Sequence, residues 1–234
     1  MISKRYLTRR PYCAALVPAA GKSERMGGTD KLTAQLGGIP VLERTLLALD
    51  GASLVDEIVV AVSPERLEEL AALCARVGVK KPLRVVEGGA SRAQSVLLAA
   101  LAASEGCELL AVHDGARPLI SRELIARCIR QTEDCGSAVV CTPVTDTVKV
   151  EKDGCVVRTL DRSQLRAVQT PQCFFAGELK AAYEAAARDG VSVTDDASVM
   201  EHAGHSVHLL ESSEVNFKLT TPEDLRRAED IIGA

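Results

Sequence analysis

The sequence has no tryptophan, and its aromatic residues (three Tyr and three Phe) make up only 3% of the chain. A stacking platform for single-stranded nucleic acid is therefore not expected. Positive charge is not in excess either. Lys and Arg number 28 against 32 Asp and Glu, for a formal net charge of -4, which argues against a partner bound through bulk positive charge. The eight cysteines form no C-x-x-C pair and several sit inside apolar runs, so they read as reduced thiols of a cytoplasmic protein. No apolar run is long enough to span a membrane; Cys13 to Val17 already stops at Pro18. The basic stretch Met1 to Arg10 is followed by no signal-peptide core and reads as a frayed terminus. Neither nucleic acid nor a membrane is an expected partner.

With 47% hydrophobic and 26% charged residues over 234 positions, the chain is expected to fold as one domain, 1–234. Such a length buries about 70% of the unfolded surface. Short apolar runs at Cys13–Val17, Ile58–Val62, Leu83–Val86, Leu109–Val112 and Ala138–Val140 suit strands buried on both faces. Helical patterns alternate with them. Pro40 opens one, Ser63-Pro64 another that closes at Gly78, and Ser91 to Ala103 and Ser121 to Glu133 follow. This order predicts an α/β fold with a mostly parallel sheet between two helical layers. Between Cys141 and Leu165 the rhythm breaks into alternation around Asp153-Gly154, a β-hairpin signal and a candidate projecting arm. Helices resume at Ala176–Arg188 and after Thr221-Pro222.

Ligands of open α/β sheets bind beyond the carboxyl ends of the strands. After the first strand come Pro18-Ala19-Ala20-Gly21, whose small residues let backbone N–H groups approach an anion, and then Lys22, Arg25 and Lys31. The segment reads as a triphosphate cradle; an ordinary strand-to-helix loop with solvated cations is the alternative. Gly21-Lys22-Ser23 resembles the end of a P-loop, but the first glycine of that motif is replaced by Leu16. His202, His205 and His208 have metal-ligand spacing, yet Gly204 and a change from helix to strand separate them, so a surface run is expected.

The wording of these segments is similar to that of a known family. Pro18-Ala19-Ala20-Gly21 with Arg25-Met26 and Lys31 resembles the signature of nucleotidyltransferases that activate sugar and polyol phosphates. Gly88-Gly89-Ala90-Ser91-Arg92 through Ser95, His113-Asp114-Gly115-Ala116-Arg117-Pro118, Thr147, Arg162, Gln169-Thr170-Pro171-Gln172, Thr194 to Ser198 and Asn216-Phe217-Lys218 follow in order. Together, from Ala14 to Leu225, they resemble the 2-C-methyl-D-erythritol 4-phosphate cytidylyltransferases, with ribitol 5-phosphate cytidylyltransferases as close relatives. The chain departs from the pattern at Ser23 and Glu24, at Asp30 where proline commonly precedes the lysine, and at Ala90 where the family is acidic.

The resemblance implies a three-layer, Rossmann-like nucleotidyltransferase fold and transfer of CMP from CTP to the polyol phosphate, releasing pyrophosphate. It implies catalytic roles for Arg25, Lys31, Arg162 and Lys218. Pro18, Ala19, Ala20, Gly21, Gly88, Gly89, Arg92, Ser95, Asp114 and Ala116 would line CTP. Asp114, Arg117, Thr147, Arg162, Thr170, Thr194 and Lys218 would hold the acceptor. Magnesium is the implied cofactor, carried mostly by triphosphate oxygens, with Asp114 its one protein ligand. The hairpin, 141–165, would embrace a second subunit to form a homodimer. An idle nucleotide-binding module is the third reading, disfavoured by the four retained cations.

Overall fold

A computed structural model describes residues 9–21 and 30–233. Arg25, Lys22, Ser23 and Glu24 lie outside the described residues, as does most of the basic N-terminal stretch. Strand β1 (Cys13–Ala19) shows why the sheet is covered on both sides. Cys13, Ala15, Val17 and Ala19 enter one hydrophobic cluster, and Ala14 and Leu16 enter the other. Strand side chains alternate faces, and here both sets are apolar.

Around β1 stand β4 (Glu57–Val62), β5 (Leu83–Glu87) and β6 (Leu109–Val112), and the pairs β6–β1, β1–β4 and β4–β5 are parallel. Helices α1 (Val41–Gly51), α2 (Leu67–Arg76) and α4 (Arg122–Cys135) cover one face. Helices α3 (Arg92–Ala102), α5 (Ala176–Arg188) and α6 (Asp196–His202) cover the other. The Ser91 side chain caps α3 by accepting from Gln94 N–H, and Ser121 caps α4 through Leu124 N–H. Gly136 ends α4 at φ 88°, a left-handed conformation that costs glycine least. Helix α7 (Pro222–Ile232) is held by the Thr221–Asp224 capping box.

The sheet order differs from a simple run of crossovers. With β7 (Ser137–Pro143), β10 (Arg166–Phe175) and β11 (Leu209–Glu211) it reads β11-β7-β10-β6-β1-β4-β5. β10 runs antiparallel to both β6 and β7. Apolar runs do not predict β10, for Pro171 sits inside it, and proline cannot donate to a ladder. The structure reconciles the two: the register between β10 and β7 shifts from Val168 to Gln172, so Pro171 falls where the ladder is already interrupted.

The hairpin forms as expected, with β8 (Lys149–Lys152) and β9 (Cys155–Thr159) as a separate two-stranded sheet. Asp153 and Gly154 have φ of 53° and 76°, the primed turn that matches strand twist. β7 continues through Pro143, so the first residues of the 141–165 segment belong to the main sheet. A further short pair, β2 (Gln35–Leu36) and β3 (Ile39–Pro40), precedes α1. Among the described residues no helix is long and apolar enough to cross a membrane.

Candidate active site

At the carboxyl ends of β1, β5 and β6 lies a cavity of about 330 Å³. Pro18 to Gly21 form one wall, Gly89 to Arg92 with Ser95 a second, and Asp114 to Ala116 the floor, with Lys31 and Lys218 at the rim. Gly88 stands just behind: a Cβ there would lie 2.9 Å from Ala20 Cβ and 2.8 Å from Ser95 Oγ, so only glycine lets these walls meet. The Ser95 hydroxyl is committed to the loop itself. It donates to Ser91 O at 2.8 Å and accepts from Gly89 N–H at 3.1 Å.

Lys31 is placed by a turn that Asp30 organises. The Asp30 carboxylate accepts from Thr33 N–H and the Thr33 hydroxyl, each at 3.1 Å, and pairs with Arg66 at 2.7 Å. The aspartate stiffens the turn by these side-chain bonds.

Asp114 is the electrostatic centre. Lys218 Nζ is 3.0 Å from its carboxylate, Arg92 Nε 3.4 Å and Arg117 Nε 3.6 Å. Burial alone would raise this carboxyl, but Lys218, Arg92 and Arg117 outweigh it and hold the group well below the usual carboxylate range. Lys218 comes from far along the chain, and two bonds dock its segment: Leu219 N–H donates to Ala116 O at 2.8 Å, and Arg117 Nη1 to Asn216 O at 2.7 Å.

Arg92 lines the cavity but spends much of its guanidinium elsewhere. Nη1 and Nη2 reach the two oxygens of Asp196 at 3.1 and 2.8 Å, a fork matched to a carboxylate. Asp196 is fully buried and also accepts from the Tyr183 hydroxyl, which burial and that charge keep protonated. Asp196 lies within the Thr194–Ser198 motif, which by itself assigns it no role. Its signal was present: of two adjacent aspartates, Asp195 caps α6, which leaves Asp196 to pair with Arg92.

The expected acceptor residues divide. Asp114 and Lys218 line the cavity and Arg117 lies directly behind it. Thr170 is 3% exposed, with its hydroxyl bonded to Asp114 N and His113 Nδ1, so it belongs to the scaffold. Thr147 and Arg162 are exposed on the hairpin segment, and Thr194 is exposed ahead of α6; none of the three lines this cavity. The three clustered histidines do not converge: His202 meets Asp189 at 2.8 Å and His208 meets Ser137 at 3.1 Å. All eight cysteines are free, and burial pushes Cys74 and Cys107 up to about 11, which makes these thiols poor nucleophiles.

A family model, described as IspD: 2-C-methyl-D-erythritol 4-phosphate cytidylyltransferase, matches residues 13–234. The enzyme of that name from Symbiobacterium thermophilum is 44% identical over 219 residues, 92% of this chain and 91% of its own. The one from Bacillus cytotoxicus is 37% identical over 218 residues, 93% and 96% of the two chains. A crystal structure of the Thermus thermophilus enzyme superposes with a TM-score of 0.77 at 36% identity, covering 95% of this chain and 100% of that one. The 4-diphosphocytidyl-2C-methyl-D-erythritol synthase of Anaerococcus prevotii gives 0.84 at 27% identity, covering 96% and 97%.

Proposed function

The chain belongs to the 2-C-methyl-D-erythritol 4-phosphate cytidylyltransferase family, and from that membership and the cleft we infer how it transfers CMP from CTP to 2-C-methyl-D-erythritol 4-phosphate. The products are 4-diphosphocytidyl-2-C-methyl-D-erythritol and pyrophosphate, in non-mevalonate isoprenoid biosynthesis. The observation that carries the mechanism is the pairing of a backbone-lined cavity with Lys31 and Lys218 at its rim. An acceptor phosphate oxygen attacks the α-phosphorus, and the bond to the bridging oxygen of pyrophosphate breaks. The nucleophile is already an anion, so the protein has little proton transfer to do. It must align two anions and neutralise them, since like unit charges ~4 Å apart repel by ~4 kcal/mol at an effective dielectric of 20.

Lys31 faces the nucleotide phosphates and stabilises charge on the equatorial oxygens, a role that the resemblance gives to Arg25 as well. Lys218 and Arg162 receive the acceptor phosphate, and Asp114, charged at any physiological pH, accepts from hydroxyls of the ribose or polyol. The main-chain carbonyl beside Gly88 or Gly89 accepts from the cytosine amino group, which uracil lacks. Asp114 is the single carboxylate on the cavity among the described residues. That donor set suits Mg²⁺, which binds through one or two carboxylates plus phosphates and water. When bound, Mg²⁺ supplies further charge neutralisation on the triphosphate.

The hairpin serves a homodimer in this reading, carrying Thr147 and Arg162 to the partner's cleft. Support comes from their exposure and from the unburied Val156 and Val157, 63% and 60% exposed. The eight free cysteines fit the reducing cytoplasm.

The test is pyrophosphate release from CTP with methylerythritol phosphate, ribitol 5-phosphate or no acceptor. Release with methylerythritol phosphate alone is expected; release only with ribitol 5-phosphate would overturn the acceptor assignment. Lys31→Ala should lose turnover far more than CTP affinity, because its interaction strengthens in the transition state. Equal losses in both would remove Lys31 from that role.

A further inference from the structure

Directly behind the Asp114 carboxylate lies a closed ring of buried hydrogen bonds. His113, at the carboxyl end of β6, is fully buried. Its Nε2 is 3.2 Å from Arg117 O, an atom that can only accept, so Nε2 carries the proton and donates. In the neutral imidazole Nδ1 then has only a lone pair, and it takes the Thr170 hydroxyl proton at 3.1 Å. Thr170 Oγ1 in turn accepts from Asp114 N–H at 3.0 Å. Arg117 N–H donates to Asp114 O at 3.1 Å and closes the circuit.

The same residue ties down the Lys218 segment. Asn216 Nδ2 donates to Thr170 O at 2.8 Å, and Asn216 O receives Arg117 Nη1 at 2.7 Å. Thr170 O is available for this because the β10 ladder is interrupted between Val168 and Gln172, which releases that carbonyl from strand pairing. Donor and acceptor capacities match around the ring, and each bond sets the direction of the next.

We propose that His113 and Thr170 are positioning residues: their hydrogen-bond ring fixes the backbone that carries the Asp114 carboxylate and, through Asn216, the Lys218 segment for the acceptor, and neither residue touches substrate. This rests on the reading of Asp114 and Lys218 as acceptor-facing groups. Thr170→Val keeps the shape but leaves Asp114 N–H and His113 Nδ1 unpaired, while His113→Gln keeps a donor and removes the ring nitrogen that Thr170 addresses.

The experiment is a double-mutant cycle on the full chain with CTP and methylerythritol phosphate. Each single variant should raise KM for the acceptor about tenfold, the scale of one unsatisfied buried polar group, with KM for CTP within about twofold. The double variant should be no worse than the poorer single one, and Thr170→Ser should recover most of the loss. Multiplying effects, or a harmless His113→Gln beside a damaging Thr170→Val, would mean that Thr170 contacts the acceptor itself and would overturn the proposal.

The wild-type protein offers a check that needs no variant to fold. Its ¹⁵N imidazole spectrum should show His113 as the neutral Nε2–H tautomer at pH 7, and an Nδ1–H tautomer or imidazolium would break the ring. Asp114→Asn separates the two layers of inference. An unchanged acceptor KM in that variant would sink the reading of Asp114, whereas a wrong tautomer would sink the ring alone.

Discussion

His113 carries a pH signature that follows from its position. Burial, opposed by its bonds to Arg117 and Thr170, lowers its pKa from 6.5 to about 4. The groups facing it are Asp114 and Arg117 from its own loop and Thr170 from β10. In the unfolded chain the imidazole binds a proton near pH 6.5, so between that value and about 4 the unfolded state holds more protons. Stability must therefore fall as pH drops through this window, by up to about 3 kcal/mol. Thermal melts from pH 7 to 4 should show that slope, and His113→Gln should flatten it relative to wild type. Identical slopes would mean that the imidazole is protonated in the native state. At this scale much of the site was legible. Lys31, Lys218, Asp114 and the small residues of the first loop converge as their motifs implied. The partners of the Thr170 hydroxyl were not legible, since nothing local reveals that Asp114 N–H and His113 claim it. Asp196 went unused because its partner Arg92 lies 104 residues away.

Among the elements, the hairpin has the least support of its own. Every residue of β9 is exposed, including Val156 and Val157, which as neighbours point to opposite faces. A lone two-stranded ribbon is marginal in water, and the proposed dimer would cover it. Replacing both valines with lysine should convert the dimer to a monomer in sedimentation and reduce turnover, since Arg162 would no longer reach a neighbouring cleft. The melting transition of the main sheet should shift by no more than exposed substitutions do, within about 0.5 kcal/mol. A fully active dimer carrying both lysines would remove the hairpin from the interface. The hairpin was readable because Asp153-Gly154 and the flanking alternation are local signals. β10 was not, since a proline inside a central strand contradicts the local rule and only the register shift beside β7 makes room for it.

For the whole molecule, net charge and local charge part company. The chain carries -4 overall, yet Lys31, Arg92, Arg117 and Lys218 gather around one cleft. Composition excluded a long polyanion and was silent about a short one. A ligand that binds only the folded state stabilises it, by about 2.7 kcal/mol at a hundred times its Kd. For a chain of this size CTP at that level should raise Tm by about 5–10 °C. UTP at the same concentration should raise it far less, and equal shifts would remove base reading by the backbone. The layers and the parallel core strands were foreseeable from runs and caps. The order of strands was not, because it is decided by pairings between segments far apart in the chain.

The hairpin segment leaves β7 at Pro143 and rejoins β10 at Arg166, and these two residues are direct partners in the sheet. Its two feet are thus held together whatever lies between them. Doubling the length of the intervening segment would add only about 0.6 kcal/mol of closure entropy, and no strand of the seven would have to move. The segment is in effect a socketed graft. Its tip, between Thr147 and Arg162, can drift in length and sequence while the hydrogen-bond ring and the sheet that carries the cleft stay as they are.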